Sequence, residues 1–399
     1  MMFQLQSFVS ALTLSAVVAN AASIPRSRAS FTLQQVLVLK SARNAFDHYS
    51  AALAKHKGRI PSGLLASATQ ETQVSPSPSD EGTAMATPIG MDKSYLIPVT
   101  VGDSTLHMDL DTGSSDLWVY SDKTPENQRT GHDLYKPSKN GKQIDDSSWT
   151  ISYNDGSGAS GIVYQDRVAI GDISYDKQGV EVATQVSQKF VQDQQNDGLI
   201  GMAFSSLNNA NPKQKTFFDN VLDDLDEPLF TASLKHDEPG SYDFGFIDKS
   251  KYTGDIFYTD VDSSRGFWTI TVDSYSAGNA SGSSFDGVVD TGTTLLLLDD
   301  DIVSNYYTQV QGAGIYDATN MFMFDCNTKL PDFTFKIGDH TATVPGDRLI
   351  WTQEWDLCVG GLQSNNGGDN ILGDIFLKSQ FVVFENKGDQ PRVGFAPQA

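Results

Sequence analysis

The 399-residue chain sets 50 acidic against 28 basic residues, a net charge of −22. Such a length has room for two lobes with their own cores, and such an acidic balance excludes nucleic acid and an anionic membrane as partners. The charge is also split, because residues 23–79 carry a net +5 and the remainder −27.

In chain order, an apolar run from Phe8 to Ala19 is followed by the small-x-small pattern Ala19-Asn20-Ala21. This reads as a secretory signal peptide over residues 1–21, too short to span a membrane comfortably, and predicts a secreted, extracellular product. Its start lacks the usual Lys or Arg. Residues 22–79 read as a propeptide, with helical stretches between Phe31 and Leu53 and a Ser/Pro/Thr/Ala-rich linker from Ser62 to Ser79. Its basic charge against an acidic body suggests an electrostatic clamp, and it holds no dibasic cleavage site.

From Tyr95 onward, short runs rich in Val, Ile, Thr, Phe and Tyr alternate with Gly, Asp, Asn and Ser turns. That pattern predicts an all-β fold with a few short helices, such as Thr216–Leu225 and Asp301–Val310. Residues 80–260 and 261–399 are expected to form an N-terminal and a C-terminal lobe. The stretch from Trp149 to Gly161 reads as a hairpin with a Gly-rich tip.

Two triplets stand out within this pattern. Asp111-Thr112-Gly113 and Asp290-Thr291-Gly292 each follow a strand-like run, and each is followed by a hydroxyl residue, Ser114 or Thr293. One Asp-Thr-Gly is an ordinary turn signal. Here, however, 88 residues separate Gly113 from the Gly of Leu199-Ile200-Gly201, and 81 separate Gly292 from the Gly of Ile371-Leu372-Gly373. The match is an internal duplication, and an approximate twofold axis would bring Asp111 and Asp290 face to face. Two carboxylates that close cannot both ionise freely. They suit general acid/base catalysis, one taking a proton from water while the other polarises a carbonyl. No His-Glu-x-x-His or Gly-x-Ser-x-Gly motif offers a competing hydrolase chemistry.

With these triplets, the strings Asp-Leu-Trp-Val (116–119), Phe-Val-Gln-Asp (190–193), Leu-Lys-His-Asp (234–237), Lys-Tyr-Thr-Gly (251–254) and Leu-Lys-Ser-Gln (377–380) resemble the pepsin-like aspartic endopeptidases of fungi, from about Tyr95 to the C-terminus. The resemblance implies a bilobal fold with pseudo-twofold symmetry, a cleft between the lobes and a flap hairpin over it. It further implies Asp111 and Asp290 as the catalytic dyad, supported by Gly113, Ser114, Gly292 and Thr293. The flap would present Tyr153, Asn154 and Asp155 to substrate, and Phe190, Leu199 and Val288 would be apolar pocket walls. Asn154 stands where the family commonly has Gly. Asp109, two residues before Asp111, shares its strand face. Together with Asp155 it is expected to let the pocket accept Lys besides large apolar residues.

Protein and peptide substrates, the chain's own propeptide and pepstatin-type inhibitors are the implied partners of a monomeric enzyme that needs no cofactor and no metal. Either Lys55 or Lys57 would reach the dyad in the zymogen. A bridge between Cys326 and Cys358 is the default in an oxidising compartment and matches a bridge position of the family. Asn279-Ala280-Ser281 is the chain's N-glycosylation sequon.

Overall fold

The computed structural model describes residues 29–37, 45–62, 95–152, 157–194, 196–236, 238–316, 319–388 and 390–399. The signal-peptide, linker and flap-tip expectations, including Tyr153, Asn154 and Asp155, lie outside the described residues. The described part is dominated by strands arranged in sheets of ten, six, five, four and four, with short helices between them. The expected all-β, bilobal architecture is what forms.

The duplication read from the sequence is visible in the strand pairing. In the ten-stranded sheet, Gly198–Gly201 runs parallel to Ser104–Asp111 and antiparallel to Leu117–Val119. In the five-stranded sheet, Ile371–Leu372 runs parallel to Phe285–Val289 and antiparallel to Leu296–Leu298. Each apolar-apolar-Gly strand therefore plugs the gap between the two strands that flank an Asp-Thr-Gly loop. Its glycine is required by a close approach, since a Cβ at Gly201 would meet the backbone of Ser114 and Ser115, and one at Gly373 the carbonyls of Thr293 and Leu295. Ile371–Leu372 is fully buried and Gly198–Gly201 is buried but for half-exposed Leu199, which is why both read as continuous apolar runs without alternation.

The six-stranded sheet joins the two halves. Its order places Phe31–Gln34 on one edge, then Ser241–Phe244, Leu229–Ser233, Gln380–Lys387, Gln390–Pro397 and Phe257–Asp260. The sequence expectation of helical stretches across Phe31–Leu53 is corrected at its start. Phe31–Gln34 is a strand with alternating burial, Phe31 and Leu33 inward, and Val36–Leu37 pairs with the strand that begins at Tyr95. Four residues fit either periodicity, and the open edge of Ser241–Phe244 decides it, with Phe31 stacked on Phe244 at 5.0 Å.

Helix α1 (Ala45–Lys55) follows and buries Ala45, Phe46, Tyr49, Ala52 and Leu53. It ends in a left-handed residue, Lys57 at φ 64°, and the Gly58 N–H closes back on the Leu53 carbonyl. That 6→1 bond is the Schellman stop. The anticipated helix at Thr216–Leu225 forms as Phe217–Val221 with a 3₁₀ turn to Asp224, capped by Thr216 Oγ1 accepting from the Asp219 N–H. The one expected at Asp301–Val310 forms as Asp300–Tyr307. Cys326 and Cys358 are joined, closing 32 residues of chain.

Candidate active site

Asp111 ends one strand and Asp290 follows directly on the other, and both carboxylates are at most 1% exposed. Each loop holds its own aspartate in the same way. Gly113 N–H donates to Asp111 Oδ1 at 2.8 Å and Ser114 Oγ to Oδ2 at 2.5 Å. In the twin, Gly292 N–H donates to Asp290 Oδ1 at 2.9 Å and Thr293 Oγ1 to Oδ2 at 2.6 Å. The glycines also let the loops meet, because a Cβ on Gly113 would strike the Asp290 carboxyl and one on Gly292 the Asp111 carboxyl. So all six residues of the expected dyad and its support come together in one place.

The middle residues of the triplets lock the loops to each other, which the sequence reading missed. Thr112 Oγ1 donates to the Val289 carbonyl at 2.9 Å and accepts the Thr291 N–H at 2.9 Å. Reciprocally, Thr291 Oγ1 donates to the Leu110 carbonyl at 2.7 Å and accepts the Thr112 N–H at 3.1 Å. Four buried bonds thus fix the spacing of the two carboxylates. The signal was present, since a hydroxyl residue occupies the same place in both copies.

Lys55, at the C-terminal end of α1, reaches between the carboxylates. Its Nζ lies 2.7 Å from Asp111 Oδ1 and 3.1 and 3.0 Å from the two oxygens of Asp290. Lys57 is exposed, because the left-handed turn that ends the helix directs it away. The neighbour that does turn inward is His56. Buried at 1% exposure, its Nε2 sits 2.7 Å from Asp290 Oδ2 and 3.3 Å from Thr293 Oγ1.

Burial pushes the Asp111 carboxyl up, with the Asp290 charge adding to it and Lys55 opposing. Burial acts upward on Asp290 as well, but there Lys55 and His56 outweigh it and hold the group well below the usual carboxylate range. The pair titrates as a unit, one member primed to ionise before the other.

The remaining sequence candidates are distributed around this centre. Asp109 is half-buried on the Asp111 strand and pushed well up by burial first, then by the charges of Asp111, Asp374 and Asp290, with Lys55 opposing. Phe190 is half-buried against Trp118, ring centres 5.4 Å apart, and Leu199 packs on the same aromatic cluster. Val288 is 2% exposed within the second lobe's core. Asn279 is exposed in the turn before Ala280–Gly282. The ligand atoms of His107, Asp133 and Asp197 lie within 4.8 Å of one another. Both Asp197 oxygens already accept backbone N–H groups, from His107 and Asp133 at 2.8 Å each, so the group ties two loops together.

Residues 94–398 match the eukaryotic aspartyl protease family. Over nearly its whole length the chain is 50% identical to Aspergillopepsin-1 of Aspergillus pseudoglaucus, covering 98% of this chain and 99% of the relative. It is likewise 50% identical to Penicillopepsin-1 of Talaromyces stipitatus, 99% of each chain covered. Penicillopepsin-2 of Penicillium janthinellum is 48% identical over 96% of both. Facing aspartates on duplicated loops, in a sheet-built bilobal frame matched along its length, lead to one assignment: the chain belongs to the eukaryotic aspartyl proteases, the pepsin-like aspartic endopeptidases.

Proposed function

We propose that this protein is a secreted acid endopeptidase made as a zymogen, with Asp111 and Asp290 as its catalytic pair and residues 22–79 as the propeptide that silences them. The observation that carries this reading is the Lys55 ammonium bonded to both carboxylates at once. The space it fills is where an active dyad must hold the attacking water. A buried cation there neutralises the general base and excludes the nucleophile together.

With the segment gone, one aspartate is protonated and the other ionised. The ionised carboxylate takes a proton from a water between them as its oxygen attacks the scissile carbonyl. The protonated partner hydrogen-bonds to that carbonyl oxygen and stabilises the charge developing on it. A proton then passes to the leaving amine. Ser114 and Thr293 hold the outer oxygens, while Gly113 and Gly292 leave room for the substrate backbone.

Activation in acid follows from the same contacts, since protonating Asp111, the carboxyl that burial pushes up, weakens the attraction that retains Lys55. Tyr153, Asn154 and Asp155 would close over the substrate from the hairpin built by Ser148–Ser152 and the strand from Gly158, with Phe190, Leu199 and Val288 shaping the pocket. Large apolar residues are the expected preference. Asp155, with help from Asp109, would add acceptance of Lys.

The test is digestion of casein or haemoglobin at acid pH by the secreted chain. Pepstatin should block it, and Asp111→Asn or Asp290→Asn in a folded protein should lower turnover by at least about 10³-fold. Activity that survives either substitution would refute the assignment. For specificity, Asp155→Ser should selectively reduce cleavage after Lys, and an unchanged ratio of Lys to Phe cleavage would remove that part.

A further inference from the structure

The four large apolar side chains exposed among the described residues all belong to one small sheet of the second lobe. They are Ile315 (50% exposed) and Tyr316 (38%) on the edge strand Gly314–Tyr316, and Trp355 (61%) and Leu357 (37%) at a hairpin tip. The hairpin is formed by Ile350–Glu354 and Leu357–Gly360, with Glu354 opposite Leu357 and only Trp355 and Asp356 between. Trp355 adopts φ 56°.

A positive φ at the first central position of a two-residue turn is a glycine's place, and a bulky side chain there is strained. The sequence thus accepts backbone strain and an exposed indole at one position, and no core is filled in return. Strain of this kind, held by its surroundings, points toward function. The surroundings here are firm, because Cys358 next to the tip strand's first residue is bridged to Cys326.

The structure also shows what this surface accepts. Phe46, in the first turn of α1, stacks on Trp355 with ring centres 5.6 Å apart, and Tyr316 is tilted against the same indole at 5.3 Å. The same helix carries Lys55 at its far end. One peptide segment therefore runs without a break from the aromatic tip to the dyad. Nine residues of helix cover about 14 Å, a span that an extended peptide crosses in about four residues.

We propose that Trp355 and Tyr316 form a secondary substrate-binding site. It takes an aromatic side chain of a protein substrate about four residues from the scissile bond, and Phe46 fills it until the N-terminal segment is removed. The proposal rests on the endopeptidase reading above and adds to it a determinant outside the cleft.

The experiment uses the full chain activated in acid and three matched peptides, one short and two long. The short one spans three residues on each side of the scissile bond. The long ones extend six on each side and carry Phe four residues from it, on one side or the other. Trp355→Gly removes the ring while suiting the turn, so it should leave thermal stability equal or higher. Trp355→Phe should retain most of the binding.

For a long peptide, Trp355→Gly should raise KM roughly two- to tenfold, as loss of an aromatic pair implies, with kcat and all constants for the short peptide unchanged. Equal KM values for wild type and Trp355→Gly on both long peptides would overturn the proposal while leaving the protease assignment intact. Equal KM values accompanied by a shift from dimer to monomer in sedimentation would also overturn it, making the patch a contact between copies. No cleavage of any of these peptides by wild type would instead sink the endopeptidase reading itself.

Discussion

His56 Nε2 and Asp290 Oδ2 lie 2.7 Å apart, so the carboxylate that Lys55 already engages receives a second donor from the very next residue. The two side chains are consecutive at the end of the helix, and the Schellman stop follows directly after His56. The segment that carries α1 therefore meets the dyad through two neighbouring side chains.

Replacing Lys55 by Met would leave two buried carboxylates with His56 alone. Breaking a buried ion pair costs about 3–5 kcal/mol, some of it recovered when one carboxyl takes up a proton. The full-length chain should therefore process itself at a higher pH than wild type. His56→Gln, which keeps a donor, should move the threshold by a smaller amount. Timed gels across a pH series measure both, and coincident curves for all three proteins would contradict the clamp.

Thr112→Val is nearly isosteric but removes both cross-lobe bonds of its hydroxyl. At about 1 kcal/mol per lost bond, and 1–3 kcal/mol for a buried group left unpaired, the loss should reach about 2–4 kcal/mol. Thermal unfolding should show it, and kcat should fall with KM little changed, because the spacing of the carboxylates slackens. An unaltered kcat would mean the threonines are not what sets that spacing.

A second buried acid pair lies behind the first triplet. Glu181 and Asp116 are buried neighbours that both accept from Asn208 Nδ2, at 2.7 and 3.0 Å. Burial, then the Asp116 charge, pushes Glu181 well above its ordinary value, and burial raises Asp116 as well. Folded-state values raised above unfolded ones give stability that is complete below the ordinary carboxylate range and is lost as pH rises through the raised values. Glu181→Gln keeps a donor toward Asp116 and removes the titration. Its melting temperature should fall less than the wild type's between pH 5 and 8, and parallel curves would show that the pair is not responsible.

Asp197 makes a related case at a single group. Burial lifts it to about 6 against the two backbone N–H bonds that oppose the rise. Its contribution is therefore present in acid and fades as pH passes 6. Following the carboxyl by NMR or infrared titration should find a midpoint near that value, and a midpoint close to 4 would contradict it.

The dyad, its hydroxyl supports and the plugging strands were legible in the sequence because duplication repeats them and local turn chemistry encodes them, and the disulfide because the chain has just two cysteines. Lys55 was legible only as one of two candidates, since choosing it from Lys57 depends on a left-handed residue that Lys57 itself supplies. The strand at Phe31–Gln34 was misread because its partner lies more than 200 residues away. Glu181 and Asp116 are 65 residues apart and meet only through the pairing of Leu117–Val119 with the long strand Ile173–Val186. Each miss is a contact made by tertiary pairing, where local periodicity is silent.

The same edge strand sets a limit on reversal. While the chain is continuous, Phe31–Gln34 finds Ser241–Phe244 at the effective concentration of a tethered segment. A cut anywhere between residues 62 and 95 turns that segment into a free peptide that dilution carries away. Maturation would then discard part of the template on which the sheet was assembled, and the enzyme that results would hold its shape by the height of its unfolding barrier.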